Sequence, residues 1–427
     1  MKLTPTRRLY GLGVVLLVAL ITCSRRFTGQ GEAFAILPLS IAGAAYLLAV
    51  REFFCTPSFP RHVIVFGLVL AAVWNVVFLT IPTGSDDDVR RYVWDGKIGR
   101  LGYNPYTVIP NDPALAALHT KETRGMNHPD LPSLYPPGAQ LFFRLVTAIS
   151  ESTLAMRVAL LICELAILVV LFDVLRSTGE ARHWILAYAW SPILATEVAG
   201  SGHIDILGAL LLLVSLAALL RRWRTTAAIA FALAVSVKPL PIVLLPLYWR
   251  RVRVRDAAAA VAVFALLYVP FLDRGRISVG SLGTYLHSFR FNAPLFAVLQ
   301  RFFSPQSVAG MALLAGLLIA TWLRRKDQSL TAQDLAWPMA TSLVFSPVVY
   351  PWYLLWFLPF LRSMSTLPII VWTVSILPTY LVWQQRAMGR PWVLPGWVVA
   401  LEYGSFAASL VIVLALRLYR PSRSKTE

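Results

Sequence analysis

Three consecutive aspartates, Asp86, Asp87 and Asp88, open the longest polar interval of this chain, which runs from Pro82 to Gly138. Acids in a first helical turn can be plain capping, with Ser85 as N-cap and Asp88 at N3. Asp86/Arg90 and Asp87/Arg91 are spaced i,i+4 and can pair at a surface. Asp88 differs, because its i+4 residue is Tyr92, although Arg91 at i+3 is in reach. Asp88, Tyr92 and Asp95 share a helical face, with Trp94 close by. A carboxylate left unpaired there can act as general base toward a hydroxyl, or help hold a divalent cation such as Mg²⁺ or Mn²⁺. Spacing alone leaves both roles open.

Other candidates lie downstream. His203 and Asp205 follow Gly200-Ser-Gly, a turn that lets a ligand approach, or simply a turn with a satisfied histidine. Glu197 is expensive in hydrocarbon and is expected to be paired or to face a cavity; Glu164 and Glu402 are similar in kind. Lys238 precedes Pro239-Leu-Pro241, a helix break, and at such a break an anionic partner such as a lipid phosphate fits better than snorkelling. Tyr350, Trp352 and Tyr353 form an interfacial aromatic belt or a surface on which a sugar ring stacks. There is no Walker loop, no HExxH, no GxSxG and no zinc-spaced Cys/His set in the sequence.

The elements that must position these residues are membrane helices. Of 427 residues, 57% are hydrophobic and 14% charged, against about a quarter charged in soluble domains; mean hydropathy is +0.65. Apolar runs recur at about 8–23, 33–50, 62–81, 154–175, 183–198, 204–220, 226–237, 239–249, 256–272, 307–323, 333–347, 351–361, 366–384 and 396–416. An all-α, polytopic chain with about 12–14 transmembrane helices is expected, the first of them an uncleaved helix.

The net charge of +18 sits mostly in short basic clusters between apolar runs, which argues for membrane orientation and against nucleic acid. These clusters put both termini in the cytoplasm of a plasma (inner) membrane, multi-pass. The scheme requires 137–149, which carries Arg144 and is too short to cross, to lie along the membrane surface. It also requires 225–249 to be a hairpin turning at Lys238. Cys23, Cys55 and Cys163 are then too dispersed for a disulfide.

The resulting organisation is N-terminal transmembrane helices over 1–81, then an extracytoplasmic, catalytic loop with juxtamembrane helices over 82–153. Transmembrane helices with the outer turn 200–205 occupy 154–272. A second outer loop over 273–306 carries Tyr285, His287 and Asn292, and helices over 307–416 precede a cytoplasmic tail, 417–427. Every chemically distinctive motif falls on the outer face.

The run S-D-D-D-V-R-R-Y-V-W-D-G at 85–96, G-x-N-P-Y at 102–106 and Y-P-P-G-A-Q at 135–140 resembles the GT-C superfamily of membrane glycosyltransferases, in particular bacterial mannosyltransferases that use a polyprenol-phosphate sugar. G-H-I-D at 202–205, V-K-P-L-P at 237–241 and S-P-x-x-Y-P-W-Y at 346–353 follow in the same order. The likeness spans about 60–362, and two extra helices before the loop depart from the simplest layout. It implies a catalytic aspartate in the first outer loop. The family's Asp-x-x-x-Tyr pattern falls on Asp88 and Tyr92, with Asp87 and Asp86 as fallbacks. It further implies inverting transfer of a hexose, mannose first, from a polyprenyl-phosphate donor to a lipid or glycan acceptor, among membrane lipids. Lys238, with Arg91 or His203, would stabilise the departing phosphate, and Asp205, Asn104, Tyr135, His287, Tyr350, Trp352 and Tyr353 would line the substrate site. The rival class is a transporter or flippase for a lipid-linked sugar, which predicts internal repeats and midplane polar groups; neither is evident. A glycolipid-binding subunit without activity would keep the aromatic motifs and tolerate loss of the aspartates.

Overall fold

The computed structural model describes residues 3–26, 32–83, 88–325 and 330–419. Among these residues the fold is helical, with one two-stranded hairpin pairing Leu272–Asp273 with Arg276–Ile277. The chain begins with α1 (Pro5–Arg26), α2 (Glu32–Cys55) and α3 (Arg61–Thr80), and α4 (Asp88–Arg100) opens the polar interval. After it come α5 (Pro137–Ile149) and α6 (Thr153–Thr178). The ends of these helices are set locally. Pro137 occupies the first turn of α5, where its missing N–H is harmless. Ser152 caps α6 by accepting from the Ala155 amide at 3.1 Å. Gly179, at φ 71°, closes α6 in the left-handed conformation, which glycine adopts without penalty.

Among the described residues, eight helices are long and apolar enough to cross a membrane, and nine if Pro192–Gly200 and Asp205–Leu220, bent by 118°, count as one span. The polytopic helical class holds, with a lower count than the 12–14 expected from hydropathy runs. The difference has a physical reason. Several apolar runs are short or broken, such as Trp184–Ala189, Arg224–Val237, Leu245–Tyr248, Ala332–Val344 and the 3₁₀ turns from Pro351 to Phe360. None reaches the roughly 20 residues that a crossing needs, and most of their side chains are buried in the protein core. Hydropathy cannot distinguish burial in protein from burial in lipid.

Two features hold the site end of the bundle together. Arg157 of α6 is buried and donates to the carbonyls of Ile81 (3.0 Å), Leu79 (3.2 Å), Ala199 (3.3 Å) and Gly200 (3.1 Å). It thereby satisfies the last carbonyls of α3 and those of the π-turn Ala195–Gly200 at once. The second feature is a parallel bridge between Phe291 and Val348, in which the Phe291 amide donates to Pro347 at 3.1 Å and the Val349 amide to Phe291 at 2.9 Å. It ties the 273–306 loop to the segment carrying Tyr350 and Trp352. Near Lys238 the Arg224–Val237 helix ends, and Lys238 is extended (φ −151°, ψ 148°) before the prolines.

Candidate active site

Asp88 is the first residue of α4, and its carboxylate is turned into the loop. Asn127 Nδ2 donates to Oδ1 at 2.5 Å and Tyr135 OH donates to Oδ2 at 3.0 Å. His203 Nδ1 lies 3.9 Å from Oδ2, and His203 Nε2 lies 3.0 Å from Glu197 Oε2. A buried imidazole thus stands between two carboxylates, Glu197 within the π-turn and Asp88 across the cleft. The turn that presents it depends on Gly202, at φ 81°, whose absent Cβ would meet Arg157 Cγ at 2.8 Å.

Tyr135 is itself positioned by aromatic packing. Tyr92 stacks on Phe143 of α5 (4.4 Å between centroids, 9° between planes) and meets Tyr135 edge-on at 5.0 Å. α4 and α5 come close enough for this because residue 96 is glycine, where a Cβ would lie 2.4 Å from the Phe143 carbonyl oxygen. Burial first, and then the Asp88 carboxylate, push the Tyr135 phenol well above its ordinary pKa, so it remains a donor.

On the next wall the Lys238 ammonium donates to Asp205 Oδ2 at 2.6 Å, and Trp356 Nε1 donates to Asp205 Oδ1 at 2.8 Å. Lys238 Nζ also lies 4.9 Å from the centre of the Tyr353 ring. The Tyr353 and Tyr285 hydroxyls are 2.5 Å apart, which ties the 273–306 loop to this wall. Behind them runs a column of flat rings. Trp352 stacks on His203 at 4.0 Å and on Tyr350 at 4.3 Å, and Tyr350 stacks on Phe291 at 4.4 Å.

Asp88, Tyr135, Tyr92, His203, Asp205, Lys238, Tyr350, Trp352 and Tyr353 are therefore brought together. Asp86 and Asp87 lie outside the described residues. Arg91 is placed elsewhere: its Nε is 2.9 Å from Asp95, and its other nitrogens donate to the carbonyls of His128 (3.3 Å) and Leu131 (2.9 Å). With Ser133 and Gln140 also donating to Asp95, this buried network pins the 128–133 segment of the loop onto α4. Asn104 holds the Phe271 carbonyl at 2.9 Å, joining the loop after α4 to the turn that precedes the 273–306 segment. His287 is exposed and sits by Gln306, apart from the cluster. Among the described residues no three His, Cys, Asp or Glu side chains converge as metal ligands. Asn127 and Trp356 went unnoticed in the sequence. They lie 39 and 151 positions from the carboxylates they serve.

Broken helices of a membrane bundle thus gather a part-exposed aspartate, a lysine–aspartate pair and an aromatic wall at one end. The family described as Alpha-(1->6)-mannopyranosyltransferase, N-terminal domain, matches residues 16–253, more than half of the chain, and the chain belongs to that family. Among solved structures, ArnT from Cupriavidus metallidurans bound to undecaprenyl phosphate is similar at 14% identity, with a TM-score of 0.45, over 82% of this chain and 76% of that one. Among curated proteins no sequence matches.

Proposed function

We propose that the chain transfers a hexose, mannose, from a polyprenyl-phosphate donor to a hydroxyl of a lipid or glycan acceptor, with inversion and with Asp88 as base. The observation that carries this reading is the contrast between carboxylates. Asp95, Asp205 and Glu402 are fully buried, and each is held by two or more donors: Arg91, Ser133 and Gln140; Lys238 and Trp356; Asn292 and Trp372. The Asp88 side chain, to which Asn127 and Tyr135 donate, is by contrast 17% exposed. A carboxylate oriented by such donors and open to a substrate suits general-base work.

In the proposed step the acceptor hydroxyl gives its proton to Asp88 as its oxygen bonds to the anomeric carbon. The bond from that carbon to the donor phosphate breaks, and its electron pair leaves with the polyprenyl phosphate. That phosphate is already charged, so no general acid is needed, and Lys238 offsets the charge that develops on it. The stacked rings from Trp352 to Phe291 back the space where a sugar would sit.

Two features support a site at the extracytoplasmic surface. The basic clusters fall on the other set of loops. α5 buries Gln140, Phe143 and Thr147 while leaving Leu145 64% and Ile149 83% exposed, an apolar face fit for the membrane interface.

The test supplies membranes carrying the wild type or Asp88→Ala with labelled polyprenyl-phosphate mannose and follows lipid and polymer products. Loss of a positioned base lowers transfer by at least about 10²-fold, with folded protein recovered in normal yield. Wild-type transfer by Asp88→Ala refutes the assignment, and Asp86→Ala and Asp87→Ala then decide between the fallbacks. The same assay run with a chelator reports whether Mg²⁺ or Mn²⁺ is used.

A further inference from the structure

The far ends of α3 and α6 carry arginines that the site does not use. α3 starts at Arg61 and ends at Thr80, next to the site, while α6 returns from Thr153 to Thr178. At 1.5 Å per residue, the Arg61 end lies about 30 Å from the Asp88 end, at the opposite surface of the bundle. Between these far ends is a cavity of about 780 Å³, within the range of ligand pockets. Arg61, Arg176 and Arg182 line it together with Val65, Leu68 and Phe172.

The three arginines are exposed, and among the described residues none has a carboxylate within ion-pair distance. The Arg182 guanidinium rests 5.7 Å from the centre of the Phe172 ring. The acid on the cavity wall, Glu180, faces Arg362 at 3.4 Å, and His183 bonds to the Phe53 carbonyl at 3.2 Å. The surplus of positive charge at the mouth therefore has no counterpart within the described protein.

Below the mouth the wall is apolar and continues along α3. Val65, Val69, Val73 and Val76 are 50%, 54%, 40% and 57% exposed, and their spacing of three and four places them in one stripe. A free anion would use the arginines and leave the apolar wall of the cavity, Val65, Leu68 and Phe172, unfilled, whereas an uncharged lipid would leave the arginines without an anion.

We propose that this cleft binds an anionic phospholipid, with its phosphate headgroup among Arg61, Arg176 and Arg182 and an acyl chain along the Val65–Val76 stripe. Guanidinium forks match phosphate oxygens in planar, two-pronged hydrogen bonding, and clefts of this kind between membrane helices suit acidic headgroups. The lipid would bridge α3 and α6, the two helices that Arg157 joins at the site end.

Native mass spectrometry of the full-length protein, delipidated in detergent and titrated with phosphatidylglycerol or phosphatidylcholine, tests this. One phosphatidylglycerol should be retained in preference to phosphatidylcholine. Arg176→Gln with Arg182→Gln should weaken that binding roughly 25-fold, about fivefold per arginine at a membrane surface. Leu68→Trp keeps every charge but fills the apolar wall, and it should also weaken binding; it carries the test if the arginine variant is not recovered folded. Arg324→Gln with Arg325→Gln, a basic pair on another helix, should leave binding unchanged. Equal retention of the two lipids, wild-type binding by the cleft variants, equal loss in the Arg324/Arg325 control, or displacement of the lipid by inorganic phosphate would each overturn the proposal.

Discussion

Gly208 allows the geometry of the site to be tested without touching a titratable group. It lies on the Asp205–Leu220 helix, three residues beyond Asp205, and the Trp356 indole rests directly on it. A Cβ at residue 208 would fall 1.9 Å from Trp356 Cη2 and 2.3 Å from Cζ2, where ordinary contact begins near 3.4 Å. That close approach is what lets Trp356 Nε1 reach Asp205 at 2.8 Å. Gly208→Ala must displace the indole, which brings an overpacking penalty of about 1–3 kcal/mol. It also removes a hydrogen bond to a charged acceptor, about 1.5–3 kcal/mol. The better helix propensity of alanine returns up to about 1 kcal/mol, leaving a net loss of about 2–5 kcal/mol. Trp356→Phe loses the same hydrogen bond, but it also removes the ring atoms that the new methyl would strike. The double variant should therefore be no less stable than Trp356→Phe alone, a non-additivity of about 2 kcal/mol or more. Denaturant unfolding in detergent micelles measures all three variants. Additive losses would show that the indole does not depend on Gly208 for its place, and the account of Asp205 would fail with it.

Two further outcomes follow from the loop. Tyr135→Phe removes one donor from the Asp88 carboxylate. At about 1.5–3 kcal/mol for such a bond, kcat for sugar transfer should fall roughly 10- to 100-fold while the protein remains monodisperse. Glu122 accepts from the Thr153 amide at 2.9 Å and its hydroxyl at 2.7 Å, and the amide bond at the start of α6 is the main reason its pKa lies below the ordinary 4.5. A depressed carboxylate pKa stabilises the fold above the unfolded value and ceases to do so as pH falls through the folded one. Glu122→Gln should therefore lower thermal stability at neutral pH, with the gap to wild type closing on acidification below 4.5; a pH-independent gap would contradict this.

What could be read from the sequence was mostly local chemistry. Pro136–Pro137 and the polar residues after Ile149 bounded α5, and the K-P-L-P run marked the break after Val237, because proline acts on its own neighbourhood. In the sequence, one i+4 step, to Tyr92, is what distinguishes Asp88 from Asp86 and Asp87. The same kind of step was available for Arg91, whose i+4 residue is Asp95. Assigning Arg91 to a phosphate overlooked the nearer, buried partner it takes in the fold. The apolar runs outnumber the eight or nine long apolar helices among the described residues because a run such as Ala332–Val344 is equally hydrophobic whether it meets lipid or protein. Asn127, Trp356 and the Tyr285–Tyr353 pair depend on contacts between distant segments, for which one sequence carries no local signature.

The breaks between these helices also carry the candidate site residues. Asp88 begins a helix, Glu197 sits in a π-turn, and His203 and Asp205 occupy the 118° bend. Lys238 ends a helix, and Tyr350 to Trp356 follow another in 3₁₀ turns. Continuous helices keep their polar backbone groups to themselves, whereas interrupted ones expose helix ends and free backbone groups beside the polar side chains gathered there. Each interruption leaves backbone groups that need partners. Arg157 meets that need for α3 and the π-turn together, and the Asn292 side-chain amide, 3.4 Å from the Val349 carbonyl and 2.8 Å from Glu402, does so for the aromatic segment. Buried polar residues that never touch a substrate are thus a requirement of gathering the site, and their loss should disable it as surely as loss of the aspartate.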